Sequence, residues 1–240
     1  MIEDKIDAYN DFASEYSEKI VAQHESSADF SGILPSFLQV IGNISRQTVL
    51  DAGCGEGYLS RILLEQGAYV TGIDIAAQLI EIARAKDPEH KITYEVANLS
   101  QPQLAYRDSF DLITSHLVLN DVFDYQGFLA TLGTVAKPGG RLVIAFNNPY
   151  SYVVRNLINN YFDTGKAFPY RGMTKKGVKV HFYQRTLGQY IDACLAAGFQ
   201  LRQLIDLPTP ERMLNNQIVD KLLPQGYQFP YFMILSFVKA

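Results

Sequence analysis

Apolar positions near the start of the chain follow a helical period. Tyr9, Phe12, Ala13, Tyr16 and Ile20 form one stripe, and Ile33, Leu34, Phe37, Leu38 and Ile41 form a second, which predicts two amphipathic helices ahead of the core. From Thr48 the pattern turns into short apolar runs, each followed by a helical segment. Thr48 to Leu50 precedes Leu59, Ile62 and Leu63, which end at Gly67; Tyr69 to Ile75 precedes Leu79, Ile82 and Ala83, which end before Pro88. Such alternation predicts a parallel sheet with crossover helices.

Further strands are expected at Ile92 to Val96, Phe110 to Ser115 and Leu142 to Phe146, the last entered through the turn Lys137-Pro138-Gly139-Gly140. Thr186 with Gln189 makes a capping box. Leu187, Tyr190, Ile191, Cys194 and Leu195 then form one apolar face, and Gly198 stands where a helix stop belongs. Phe199 to Asp206 and Tyr231 to Val238 supply two closing strands with a Pro-containing loop between them. No internal repeat or low-complexity tract interrupts this order.

At 240 residues the chain fits one large α/β domain. It is long enough to bury roughly 70% of its unfolded surface without staples. Two cysteines, Cys54 and Cys194, are too few for a disulfide framework, and the start lacks a basic segment leading into an apolar run, so a cytoplasmic setting is expected. The longest apolar blocks, Leu142 to Phe146 and Tyr231 to Val238, have strand lengths, so no membrane span is expected. A formal charge of −4 and a pI near 5.6 argue against a nucleic-acid partner.

Candidate chemistry concentrates in Val49-Leu50-Asp51-Ala52-Gly53-Cys54-Gly55-Glu56-Gly57-Tyr58, where a strand gives way to a helix. Glycines there permit positive φ and close approach of a ligand. The spacing is G-x-G-x-G behind an aspartate, not the G-x-G-x-x-G of a dinucleotide turn. Asp51 and Glu56 bring negative charge to the place a pyrophosphate would occupy, so a ligand with a positive ammonium or sulfonium centre fits better. The second strand ends in Gly72-Ile73-Asp74, with Asp74 placed 23 residues after Asp51, where a carboxylate accepts from a ribose diol.

Asp51 to Gly57, Asp74, Asn98-Leu99 and the Pro138-Gly139-Gly140 turn together resemble the class I S-adenosylmethionine-dependent methyltransferases, closely over Thr48 to Phe146 and loosely in the flanks. The resemblance implies a Rossmann-like, doubly wound α/β fold. Its sheet would be seven-stranded and mostly parallel, with an N-terminal helical lid and an inserted cap after the fifth strand. The expected divisions are 1–46 for the N-terminal helices, 47–147 for the cofactor-binding core, 148–185 for the cap and 186–240 for the last helix and strands.

The resemblance also implies S-adenosylmethionine as cofactor, S-adenosylhomocysteine as product and no metal. Gly53 and Gly55 would approach the methionine part, Asp51 would help hold its amino group, Asp74 would take the ribose hydroxyls, and Ile75 would lie against the adenine. Asn98 stands where the family commonly has an aspartate; its side chain can accept from the adenine amino group, and the backbone of Leu99 can donate. Tyr16, Cys54 and Ser115 complete the residues assigned to the cofactor.

The methyl acceptor is expected beyond the fourth strand, beside Ser115-His116-Leu117-Val118-Leu119-Asn120-Asp121. Many small-molecule members carry a histidine near the position of Asn120, which cannot act as a base. His116 and Asp121 are the base candidates there, although displacement at a sulfonium carbon depends mainly on alignment. The segment Asn147 to Arg185 carries seven Lys and Arg against Asp163 alone, with aromatic residues interleaved. It is expected to form a cap with helices of its own, offering rings and cations to a small anionic or aromatic acceptor, or simply a solvated basic face. By resemblance His181, Tyr183 and Arg185 close the pocket. His116, His181 and Tyr183 are thus the catalytic candidates, and Asn120, Arg155, Tyr170 and Arg185 the substrate-binding ones. Two other functions stay open: an NAD(P)-dependent oxidoreductase, and a non-catalytic module that binds the cofactor or its product.

Overall fold

A computed structural model describes residues 9–10, 13–18, 33–170, 180–208 and 229–240. Phe12 and Ile20 of the first predicted stripe, the loop at 209–228, and Arg171, Lys175, Lys176 and Lys179 lie outside the described residues. Residues 9–10 and 13–18 are helical, and α1 (Leu34–Ile41) buries Leu34, Phe37 and Ile41.

The core alternates as its apolar runs predict: β1 (Thr48–Ala52), α2 (Tyr58–Glu65), β2 (Tyr69–Asp74), α3 (Ala77–Ala85), β3 (Thr93–Val96), β4 (Phe110–His116), α4 (Tyr125–Val135) and β5 (Ala136–Asn147). A short helix, α5 (Pro149–Val154), and the strand pair β6 (Ala167–Tyr170) and β7 (Val180–Tyr183) follow; α6 (Leu187–Ala196), β8 (Phe199–Pro208) and β9 (Pro230–Lys239) close the chain. Seven strands form one sheet in the order β3-β2-β1-β4-β5-β9-β8, with β9 antiparallel to both neighbours and the pairs from β3 to β5 parallel. Strand order reverses between β1 and β4, and there the sheet opens a crevice at the strands' carboxyl ends.

Period-2 alternation divides the core between the two faces of the sheet. Val143 and Ala145 of β5 join Val49, Val70 and Leu112 under α1, α2 and α3, whereas Leu142, Ile144 and Phe146 join Leu50, Ile73 and Ile113 under α4 and α6. Burial on both faces is why these strands read as continuous apolar runs.

Four local expectations are adjusted. The Lys137-Pro138-Gly139-Gly140 turn is absorbed into β5 as a bulge, Phe110 pairing with Ala136 and Leu112 with Arg141. Helix α4, which the apolar pattern did not mark, buries Thr131 and Gly133 as well as Phe128, Leu129, Leu132 and Val135, so no clean stripe identifies it. On α6 the capping box forms, but Leu195 is 48% exposed, and Tyr190 and Cys194 face the core with Ala193. Among its described residues, the segment after β5 holds one short helix and a two-stranded antiparallel sheet, where a cap with helices of its own was expected.

Candidate active site

The glycine turn is built by backbone geometry. Gly53 has φ +80, and a Cβ placed on it would stand 2.5 Å from Val118 Cγ2, so the position accepts no side chain. The Gly53 and Cys54 amides both donate to the Ile73 carbonyl, at 2.8 and 3.1 Å, which clips the turn to the end of β2. Asp74 completes the clip: its Oδ2 accepts from the Gly55 amide and its Oδ1 from the Ala76 amide, each at 2.9 Å. Burial raises the Asp74 pKa, opposed by these backbone donors, and the carboxylate keeps lone pairs for further donors.

Around this clip lies a cleft with about 1040 Å³ of space, its open mouth included. Tyr16, Gly53, Gly55, Asp74, Ile75, Asn98, Leu99 and His116 line it, all of them residues singled out from the sequence. The side-chain oxygen of Asn98 already accepts from the Ser100 amide at 2.9 Å, so one of its two lone pairs is spent on the chain itself. Val118, within the segment expected beside the acceptor, lines it as well, and Tyr9, Leu79, Phe123 and Phe128 also line the cleft without having been assigned to the site from the sequence. The Val122-Phe123 pair beside Asp121 was the available signal for Phe123; Tyr9, though part of the first apolar stripe, reads only as core.

Several candidates stand behind the wall instead of on it. Asp51 is 1% exposed and accepts from Ser60 Oγ at 2.6 Å and Thr114 Oγ1 at 3.3 Å; burial pushes its pKa up to about 6. Cys54 and Ser115 are buried and do not line the cleft. Glu56 is 2% exposed and turned to two cations, with Arg61 Nη2 at 3.2 Å from both carboxylate oxygens and Lys86 Nζ bonded to one of them. Its charge is therefore met within the protein, which corrects the expectation that it shapes the ligand's field.

The acceptor residues are rearranged more strongly. Asn120 is buried, its Oδ1 accepting from the Asn147 amide at 2.9 Å and its Nδ2 donating to the Asn147 carbonyl at 3.3 Å, so it braces β5 and lies off the cleft. The Arg155 guanidinium lies 4.5 Å over the Tyr231 ring. Arg185 lies 4.4 Å over Tyr125 and 5.0 Å over Tyr183 while donating to the Phe123 carbonyl. Neither arginine lines the cleft, because each is held on rings of the surrounding fold. Tyr183 packs 5.4 Å from Phe123 and supports the wall from outside; His181 pairs with Pro169 across β6 and β7, away from the cleft. Tyr170 ends β6 opposite Val180.

His116 lines the cleft with its ring 5.0 Å from Phe37, edge to face. Asp121 lines it too and is hydrogen-bonded to the Tyr9 hydroxyl. Burial holds the Tyr9 and Tyr16 phenols well above their ordinary range, so both stay protonated. The charged residues lining the cleft, among those described, are Asp74, Asp121 and Asp124. Asp124 also caps α4, accepting from the Gly127 amide. No cluster of ligating side chains that could hold a metal occurs among the described residues. Nor is any helix there long and apolar enough to cross a membrane.

A doubly wound sheet with a glycine turn tied to an acidic strand end at its switch point defines a nucleoside-binding α/β domain. Residues 50–144 match the family model described as Methyltransferase domain. A ubiquinone biosynthesis O-methyltransferase from Idiomarina loihiensis is 31% identical over 182 residues, 72% of this chain and 70% of that one. A demethylmenaquinone methyltransferase from Tropheryma whipplei is 36% identical over 138 residues, 52% of this chain and 56% of its own length. The chain spans about half the length of several curated relatives it matches. The crystal structure of an S-adenosylmethionine-dependent methyltransferase from Mesorhizobium loti superposes with a TM-score of 0.66 at 24% identity, covering 88% of this chain and 99% of that one. The chain belongs to the class I S-adenosylmethionine-dependent methyltransferases.

Proposed function

We propose that this protein transfers the methyl group of S-adenosylmethionine to a small aromatic acceptor. The observation that carries the reading is the tie between Asp74 and the Gly55 amide at the switch point of the sheet, which presents a carboxylate and a side-chain-free backbone to one ligand. Asp74 would hold the ribose hydroxyls, Gly53 and Gly55 would admit the methionine part, and Ile75, Leu79 and Leu99 would enclose the adenine. A cleft whose charged lining is acidic suits a sulfonium and repels a pyrophosphate, which supports this cofactor over a nicotinamide dinucleotide.

The bound cofactor supplies an electrophilic methyl carbon. What the chain contributes is alignment and exclusion of water: Tyr9, Tyr16, Phe123 and His116 would pack an acceptor ring against the donor, the near-contact arrangement that most accelerates displacement. Asp121, seated on the Tyr9 hydroxyl, would face a hydroxyl of that ring and could accept its proton. The names of the quinone-pathway relatives agree with a ring acceptor. Arg155 and Arg185 are engaged elsewhere, so the described cleft gives no support to an anionic one.

Titration calorimetry tests the assignment. Wild-type protein should bind S-adenosylmethionine and S-adenosylhomocysteine, and Asp74→Ala should lose about 1–3 kcal/mol of that affinity, the scale of hydrogen bonds to a charged group. A folded Asp74→Ala variant with wild-type affinity would refute the ribose role.

A further inference from the structure

We propose that Lys86 is a positioning residue for the donor site. It joins the buried Glu56 of the glycine turn to Ser17 of the N-terminal helical segment, and this relay seats Tyr16 over the turn and sets how long the nucleoside is held. The inference rests on the cofactor reading above and extends it to residues outside the cleft.

Helical residues 9–10 and 13–18 run alongside α3, joined to it near each end. Asn10 Oδ1 accepts from the Gln78 amide at 3.1 Å near the start of α3, and Lys86 Nζ, at its end, donates to Ser17 Oγ at 2.7 Å. Between these pins Ala13 packs on Ala76 and Leu79. With Asn10 at the start of α3 and Ser17 at its end, the two segments run in the same direction. Tyr16 adjoins Ser17, and a Cβ built on Gly55 would meet Tyr16 Cε1 at 3.9 Å, so the ring rests against the glycine turn. Tyr9 and Tyr16 also pack with Tyr152, Phe168 and Phe182 of the segment after β5. The helical segment thus packs against two sides of the cleft that Tyr16 lines, so its seating would bear on how fast a ligand there leaves.

Lys86 is the link that makes this seating respond to the turn. Arg61 already contacts both oxygens of Glu56, so the second cation is not required to neutralise a carboxylate that is 2% exposed. What Lys86 adds is connection: the same ammonium reaches Glu56, beside Gly55, and Ser17, beside Tyr16. Its side chain is 28% exposed and stands at the C-terminal end of α3, where the helix dipole favours a cation.

The test is the dissociation rate of S-adenosylhomocysteine, measured by stopped flow for wild type, Lys86→Met, Lys86→Arg and Ser17→Ala. Lys86→Met should speed release about tenfold and Ser17→Ala about threefold, with association little changed, as expected when one partner of a buried charged contact is truncated. Lys86→Arg should stay near wild type. Hydrogen exchange over residues 9–18 should quicken in the first and last variants while the melting temperature holds, a local signature that general destabilisation does not produce. Ser17→Ala leaves the Glu56 ion pairs intact and keeps the test open if Lys86→Met folds poorly. Unchanged release in both variants overturns the relay. So does an effect of Lys86→Met that Ser17→Ala does not share, because Lys86 would then act through Glu56 alone. A wild-type protein that holds no S-adenosylhomocysteine would instead bring down the cofactor assignment itself, and the relay with it.

Discussion

A carboxyl group sealed behind the glycine turn makes the free protein sensitive to pH. Burial lifts the Asp51 pKa from 3.8 to about 6 against the pull of the Ser60 and Thr114 hydroxyls. The folded state therefore binds this proton more tightly than the unfolded chain does. The stability it contributes is fully present below about 3.8 and lost as pH rises through about 6. Asp51→Asn removes the titration, so wild type should lose about 1–3 kcal/mol relative to the variant between pH 4 and pH 7. Urea denaturation at both pH values measures it, and a pH-independent difference would refute the shift. Among single residues the glycine turn and the place of Asp74 at its side were readable because backbone conformation and chain position fix where they stand. Glu56 was misread because its two cations, Arg61 five residues on and Lys86 thirty residues on, meet it only once α2 and α3 are in place.

Among the elements, α6 shows how closely local signals can foretell structure. Thr186 Oγ1 accepts from the Gln189 amide at 3.2 Å and Gln189 Oε1 accepts from the Thr186 amide at 2.9 Å, the reciprocal pair that the spacing predicts. Thr186→Ala should cost about 1 kcal/mol, which in a chain of this size lowers the melting temperature by about 2–4 °C. Affinity for S-adenosylhomocysteine should not change. Calorimetric unfolding checks the first statement and ligand titration the second; a large loss of affinity would mean that α6 shapes the cleft directly. Helix α4 marks the opposite case. Gly133 faces Ala197 beside α6, and with Thr131 also buried and apolar Ala130 exposed beside Gln126, the sequence of the helix does not divide into an apolar and a polar stripe. The strand pair β6 and β7 was equally hidden, because a two-stranded ribbon takes its stability from what it packs on, here Tyr152 through Phe168 and Phe182.

For the molecule as a whole, ligand binding should appear as stability. At a hundred times its dissociation constant, S-adenosylhomocysteine should add about 2.7 kcal/mol and raise the melting temperature by about 5–10 °C. NADH and NADPH should leave it in place. A thermal shift with a nicotinamide dinucleotide and none with the homocysteine nucleoside would reverse the reading of the cleft, since the dinucleotide brings an anionic pyrophosphate to the acidic lining whereas S-adenosylhomocysteine, with its uncharged thioether, brings no net charge.

The amino-acid sequence by itself determined the seven sheet strands, the glycine turn and the carboxylate at the end of β2. Each depends on local rules: period-2 burial, positive φ at glycine, and the register between neighbouring parallel strands. Tertiary structure alone decided which flagged side chains reach the cleft. It put Asp51 behind the turn, drew Arg155 and Arg185 onto aromatic rings, and brought in Tyr9 and Phe123. Those choices rest on contacts such as Ser17 with Lys86 and Phe123 with Arg185, separated by 69 and 62 residues. Periodicity and spacing carry no record of such pairs, because they come together only when distant elements pack.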